Sequence, residues 1–179
     1  MNMLPTTLPN IYLDAAEPDR DAPFAYRWLS GAHGRETLTL MGNAPHEIHE
    51  STLEKEYETF ASFVALEKAG TQITRVIRCD DQTIGVIWLE LVENHDVKAP
   101  SIHIMIGDSI YRGKGIGYAA MKAMIDFARV NLGAPYLYSR HLKNNEAISR
   151  LNEQLGFQED GMPYTDGNGL EWQQVSLEL

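Results

Sequence analysis

The sequence predicts an α/β fold of the α+β kind, with a mixed, mostly antiparallel central sheet and helices on both faces. Three observations predict it. Up to Val92 the β-rich runs are short and are separated by turn residues, as antiparallel neighbours are. From Ser101 onward strand-like and helix-like patterns alternate, which calls for a parallel crossover in the same sheet. The chain has 179 residues, 44% hydrophobic and 22% charged, a globular composition on the scale of one domain. No repeat, low-complexity tract or linker divides it, so residues 1–179 are read as one domain.

In order, Asn10 to Ala16 reads as a short strand, and Asp19 to Ser30 as a helix with Gly31 after its end. Glu36 to Met41 reads both ways, because Thr-Leu-Thr-Leu alternates like a strand but stands between helical patterns. Leu53, Tyr57, Phe60 and Val64 recur at helical spacing with Glu54, Lys55 and Glu58 between them, an amphipathic helix ending near Gly70. Gln72 to Arg78 and Thr83 to Val92 form a hairpin across Asp80-Asp81-Gln82, and the second run is apolar on both faces, as a central strand would be. Ser101 to Ile106 alternates Ile102, Ile104 and Ile106 with His103 and Met105, another strand. Gly117 opens a helix with the stripe Met121, Met124, Ile125, Ala128 and Leu132, closed by Gly133 and Pro135. Tyr136 to His141 is a strand. Asn145 starts a helix with Ile148, Leu151 and Leu155 on one face and Gly156 as its cap. Asp166-Gly167-Asn168-Gly169 marks a turn, and Val175 to Leu179 alternates as the last strand.

Charge narrows the function classes. The formal net charge is −10, from 25 acidic and 15 basic residues. Residues 1–111 carry −9, residues 112–150 carry +5, and residues 151–179 contain six acids and no Lys or Arg. A positive segment in an acidic chain points to an anionic ligand there and to a cationic partner elsewhere. Nucleic acid is not expected, since a phosphate backbone needs a larger basic face. Cys79 is the only cysteine, so an internal disulfide and a cysteine cage for zinc are excluded. Nothing before Arg20 is basic, Pro5 and Pro9 interrupt the start, and the longest apolar run is Ile84 to Leu89. A soluble, cytoplasmic protein without membrane contact is therefore expected. Its assembly is left open between a monomer and a homodimer.

The segment Tyr111-Arg112-Gly113-Lys114-Gly115-Ile116-Gly117 lies between a strand and a helix. Alternating glycines let backbone N–H groups turn toward a ligand, and the helix start adds its positive end. A pyrophosphate is the natural guest, with Arg112 and Lys114 adding charge; a merely flexible turn is the alternative. The spacing does not suit a nucleotide-hydrolase loop, because Gly115 rather than Ser or Thr follows Lys114. Nor does it suit a dinucleotide fingerprint, because Tyr118 stands where a third glycine belongs. His46 and His49 are three apart rather than four, so they are read as part of an acidic helix start, not a zinc site. No metal is expected.

On these residues the chain resembles the GNAT superfamily of acyl-coenzyme-A-dependent N-acetyltransferases. Arg112, Gly115 and Gly117 match its phosphate-loop signature, and Asn145 through Gly156-Phe157 matches its second segment. That second segment is most similar to the subgroup that acetylates ribosomal-protein N-termini. The resemblance implies a GNAT-like sheet with a splayed strand pair holding acetyl-CoA as co-substrate. It implies that backbone groups around Met105, Ile106 and Gly107 pair with the pantetheine arm and that Arg112, Gly113, Lys114, Gly115, Ile116 and Gly117 hold the pyrophosphate. Asn145 would bond the cofactor, or cap its own helix. Asn152 is placed at the cofactor where many members carry a proton-donating Tyr, and an amide has no proton to give.

Acyl transfer to an amine needs a base for the ammonium proton and a donor for the thioester oxygen. His103, Glu90 and Glu93 are the candidate bases, with a structural role as the alternative for each. His103 is the catalytic candidate carried forward. Tyr111, Tyr138 and Tyr164 are candidate acids, and Cys79 shows no sign of activation. The acidic flank after Arg150 suits a cationic amine: a peptide N-terminus, a polyamine or an aminoglycoside. The competing class is a non-catalytic acyl-CoA-binding sensor.

Overall fold

A computed structural model describes residues 3–93 and 97–179. The elements in chain order are β1 (Leu4–Pro5), β2 (Ile11–Ala15), α1 (Pro18–Leu29), α2 (Gly31–Leu40), α3 (Leu53–Lys68), β3 (Gln72–Cys79), β4 (Gln82–Glu90), β5 (Ser101–Ile106), a 3₁₀ turn (Ser109–Tyr111), α4 (Ile116–Asn131), β6 (Tyr136–Leu142), α5 (Glu146–Leu155), β7 (Gln158–Glu159), β8 (Tyr164–Thr165) and β9 (Glu171–Glu178). They form one sheet in the order β1-β2-β3-β4-β5-β6-β9-β7, with β8 also on β9. Every pairing is antiparallel except β5 with β6.

Period-two alternation on the central strands sends apolar side chains to both faces. On one face Leu13, Ile77, Ile87, Leu89 and Ile102 pack under the stripe of α4, where Ala120, Met121, Met124, Ile125 and Ala128 are buried. On the other, Val76 meets Ala22, Ala25 and Trp28 of α1 and Phe60 of α3. Each large side chain buried this way stabilises the fold by about 1.5–3 kcal/mol.

Glu36 to Leu40 resolves as helix, with Met41 as its C-cap. Thr37 and Thr39 return their hydroxyl protons to the carbonyls of His33 and Arg35 at 3.0 and 2.9 Å, so the β-branched residues sit within a helical turn. The edge strand β1 is too short to leave a pattern in sequence. Between Tyr164 and Leu170 only Tyr164 and Thr165 are in a strand.

The pairing of β5 with β6 positions the site. It holds only at Ser101 opposite Tyr138. There Tyr138 N–H donates to the Pro100 carbonyl at 2.9 Å and Ser139 Oγ–H to the Ile102 carbonyl at 3.0 Å. Beyond that point the two strands part, and the opening lies at their carboxyl ends, where α/β sheets receive ligands. Among the described residues no helix is long and apolar enough to cross a membrane.

Candidate active site

Alternation decides which backbone groups of β5 face the opening. The Ile102 carbonyl is bonded from the β6 side, so the peptide groups of Ile104 and Ile106, two and four residues on, lie along the same edge. Those of Met105 and Gly107 turn the other way: Met105 is registered with Val86 on β4, and Gly107 N–H donates to the Ile84 carbonyl at 3.0 Å. Of the expected trio, Ile106 faces the opening and Met105 and Gly107 do not, and Ile104 joins it. Gly107 is glycine for packing, since an added Cβ would stand 2.1 Å from the Trp28 ring.

The glycine turn meets the opening from below. Gly113 and Gly115 have φ of +71° and +75°, and no atom lies within 4 Å of a Cβ built on either, so backbone conformation rather than space demands glycine. Gly115 is the N-cap of α4 and supplies no side-chain bond, leaving the first-turn N–H groups of Ile116, Gly117 and Tyr118 without helical acceptors. The site is thus a ready anion cradle. Its basic side chains do other work. Arg112 folds back, donating from Nε to the Ile106 carbonyl at 2.9 Å and from a terminal nitrogen to Thr37 Oγ1 at 2.8 Å. Lys114 Nζ stands 5.7 Å from the centre of the Tyr111 ring. The Ile116 side chain is buried in the core.

Thr37 and Met41, Ile104 to Ile106, Arg112, Gly113, Gly115, Gly117, Asn145 and Leu151 surround a cavity of about 400 Å³. Asn145 is the N-cap of α5: its Oδ1 accepts from Ile148 N–H at 3.3 Å and its Nδ2 donates to the Leu40 carbonyl at 3.1 Å. Both functions of its amide serve the fold.

A second cavity of about 230 Å³ adjoins the first, sharing Leu40, Met41, Ile104, Asn145 and Ile148. It reaches the crotch of the splayed pair and brings together Trp88, Glu90, His103, Ser139, Arg140 and Trp172. His103 stacks on Trp88 with ring centres 5.2 Å apart, and its Nε2 lies 3.0 Å from Ser101 Oγ and 3.7 Å from Glu90 Oε1. Burial lowers its pKa to about 4 against the opposing pull of Glu90, so the imidazole is neutral near pH 7 and a weak proton acceptor. Glu90 Oε1 accepts the Trp88 indole N–H at 3.3 Å. Arg140 lies over the Trp172 ring at 4.2 Å and donates to Tyr164 Oη at 2.9 Å.

Several expected residues fall outside these cavities. Asn152 is 1% exposed, its amide 3.3 Å from His141 Nδ1 beside a separate void of about 50 Å³. It contacts neither cavity, because position 152 faces β6 rather than the opening. Glu93 is exposed and lines neither cavity. Tyr138 lies under Lys98, and Tyr164 already accepts from Arg140. Sequence reading missed Thr37, Leu40 and Met41, because α2 was ambiguous, and Ser139, which looks like any polar residue on an alternating strand. Among the described residues no group of three or more His, Cys, Asp or Glu is placed to hold a metal ion.

Comparison with known proteins agrees with this geometry. Residues 10–158 match the family described as acetyltransferase (GNAT) domain. The human alpha/beta-tubulin-N-acetyltransferase 9 is 26% identical over 117 residues, which are 60% of this chain and 56% of that protein. The chain thus matches little more than half the length of that relative. Among solved structures, the ribosomal L7/L12 alpha-N-protein acetyltransferase RimL in complex with coenzyme A superposes with a TM-score of 0.81 at 16% identity, covering 99% of this chain and 98% of that one. The spermidine N-acetyltransferase from Vibrio cholerae in complex with CoA and spermine gives 0.73 at 17% identity, covering 94% and 95%. At such identities the superpositions show a shared fold. The family match, spanning both the phosphate-loop turn and the helix that ends in Gly156-Phe157, shows that the chain belongs to the GNAT acetyltransferase family.

Proposed function

We propose that this protein is an N-acetyltransferase that moves an acetyl group from acetyl-CoA directly to a primary amine. One observation carries the reading: β5 and β6 part at the place where the uncapped start of α4 and the Gly113–Gly115 turn face the same cavity. First-turn N–H groups of α4 hold the pyrophosphate, and the backbone edge at Ile104, together with the Ile106 N–H, pairs with the amides of the pantetheine arm, the Ile106 carbonyl being taken by Arg112. That places the thioester at the crotch, in the second cavity.

The chemistry there follows from what lines it. An amine arrives protonated, and the Glu90 carboxylate takes its proton; His103, kept neutral by burial, orients that carboxylate and Ser101 rather than carrying charge. The amine nitrogen then bonds the acetyl carbon as the carbon–sulfur bond breaks, and the second proton leaving the nitrogen goes to the departing thiolate, so that amide and free thiol result. Ser139 supplies the sole hydroxyl among the residues lining this cavity; turning its proton from the Ile102 carbonyl to the departing sulfur, it stabilises the thiolate as that proton transfer occurs. The acid assigned by resemblance to position 152 has no place in this scheme.

The acceptor belongs to the primary amines: a peptide N-terminus, a polyamine or an aminoglycoside-like base. The names of the relatives, a tubulin N-acetyltransferase, a ribosomal-protein acetyltransferase and a spermidine acetyltransferase, support that class. A free, half-buried Cys79 fits a reducing compartment such as the cytoplasm. The test is release of free thiol from acetyl-CoA across an amine panel. Acceptor-dependent release supports the enzyme; tight binding of acetyl-CoA without release from any amine establishes a sensor instead.

A further inference from the structure

We propose that the cavity between α1, α3 and the sheet receives a large apolar side chain flanking the amine that is acetylated. This rests on the function proposed above and narrows its acceptor to a primary amine bearing a bulky aromatic or aliphatic group close to the nitrogen.

The cavity measures about 520 Å³, within the range of small-molecule pockets. Its wall is built by Leu29, Phe60, Phe63, Val86, Trp88 and Met105. It adjoins the reacting centre, since Trp88 also lines the second cavity and Met41 lines all three. A run of rings joins the two regions. Phe60 meets Phe63 edge-on at 5.5 Å, Phe63 stacks near-parallel on Trp88 at 6.3 Å, and Trp88 stacks on His103 at 5.2 Å. A nitrogen held at Glu90 therefore leaves its neighbouring side chain lying along an aromatic surface that leads into the apolar cavity.

The exposed His49, Glu50 and Lys55 stand at the rim, where Lys55 Nζ donates to the Glu50 carbonyl at 3.3 Å. Glu56, 7% exposed, accepts from Ser51 Oγ at 2.6 Å, and burial holds its carboxyl above the usual range. Glu47, at the rim, already accepts from Ala44 N–H at 2.8 Å and Asn168 Nδ2 at 3.1 Å. The acids near β9 that would draw a polycation are likewise engaged: Asp160 with Lys98 at 2.8 Å, Asp166 with the Trp172 indole at 2.8 Å. Apolar area is what this cavity can reward.

The experiment measures kcat/KM by thiol release for short peptides beginning with phenylalanine, leucine, serine or glycine, and for phenethylamine, ethylamine and spermidine. Phenylalanine and leucine peptides should exceed the glycine peptide by about 10-fold or more, the discrimination an apolar pocket achieves. Phenethylamine should likewise exceed ethylamine, and equal kcat/KM values for the two count against the pocket. Thr59→Phe, at an exposed position lining the cavity, should erase most of that preference while leaving the KM for acetyl-CoA and turnover of the glycine peptide unchanged. A flat ranking, a preference for spermidine, or a Thr59→Phe protein with the original ranking overturns the pocket and leaves the acetyltransferase standing. If no amine is acetylated although coenzyme A binds, the acetyltransferase reading falls. Calorimetry of the same amines with coenzyme A present then decides the pocket alone: apolar amines bind tighter, or it is wrong.

Discussion

Replacing Gly115 with Val tests the anion cradle most directly. Gly115 holds φ of +75° and nothing stands within 4 Å of an added Cβ, so the substitution meets no steric block and acts through the backbone alone. A left-handed L-residue costs roughly 1–2 kcal/mol, and β-branching adds to it. The loop relieves this by leaving the left-handed region, which swings the N–H groups at the start of α4 away from the pyrophosphate. The fold survives, because Ile116 remains anchored in the core. Losing one hydrogen bond to a charged group costs about 1.5–3 kcal/mol, which is about 10- to 100-fold in affinity. Lys114→Ala removes only an ammonium resting by Tyr111 and should weaken binding by less than about 5-fold, an effect that fades with salt. Calorimetric titration of both variants with coenzyme A, after circular dichroism has verified folding, makes the comparison. A folded Gly115→Val protein with unchanged affinity, or one less affected than Lys114→Ala, refutes the cradle.

Ser139→Ala should lower kcat by about 10-fold or more with little change in the KM for acetyl-CoA, whereas a raised KM with kcat unchanged would make Ser139 a binding residue. Asn152→Tyr should destabilise the protein by about 1–3 kcal/mol in urea unfolding, since the residue is 1% exposed beside a void of only about 50 Å³; Asn152→Leu, which removes the unpartnered Oδ1, should cost less. His103 bears on pH. With a folded pKa of about 4 against 6.5, its contribution of up to about 3 kcal/mol is complete above pH 6.5 and is lost as pH falls toward 4, because the unfolded chain takes up the proton first. His103→Phe should flatten that window only in part, as burial lowers the His141 pKa in the same direction.

Much of this architecture was legible because its signals are local. The stripe of α4, the Asn145 cap and the Gly156 stop depend on residues within a turn or two of each other, and they fall where periodicity puts them. The site was legible as a segment but not as an assignment of atoms. Which peptide groups of β5 face the opening depends on the register with β4 and β6, a long-range fact; it keeps Ile106 at the opening, adds Ile104 and turns Met105 and Gly107 away. Arg112 looked like a phosphate ligand because its charge is visible in sequence, whereas its partners Ile106 and Thr37 are brought to it only by folding. Asn152 was misplaced for a related reason. Family position fixes its turn on α5 but not the face of the turn, and here that face looks at His141.

The same distinction separates how an acceptor is attracted from how it is chosen. Residues 151–179 contain six acids and no bases, which suggests selection by charge. Yet Asp160 and Asp166 spend their charge on Lys98 and on Trp172 with neighbouring N–H groups, and Glu159 and Glu171 are exposed. Exposed charges act at a distance and are screened over about 8 Å at physiological ionic strength, so they speed the approach of any cation without telling one from another. Discrimination falls to the half-buried aromatic surface of Phe63 and Trp88, whose apolar contacts salt does not screen. Phenethylamine and ethylamine carry the same single charge. Raising salt should therefore raise the KM of both by the same factor and leave the ratio of their kcat/KM values constant. The measurement is a pair of salt titrations with acetyl-CoA saturating. A ratio that collapses toward one as salt rises would mean that charge, not the Phe63–Trp88 surface, sorts the acceptors.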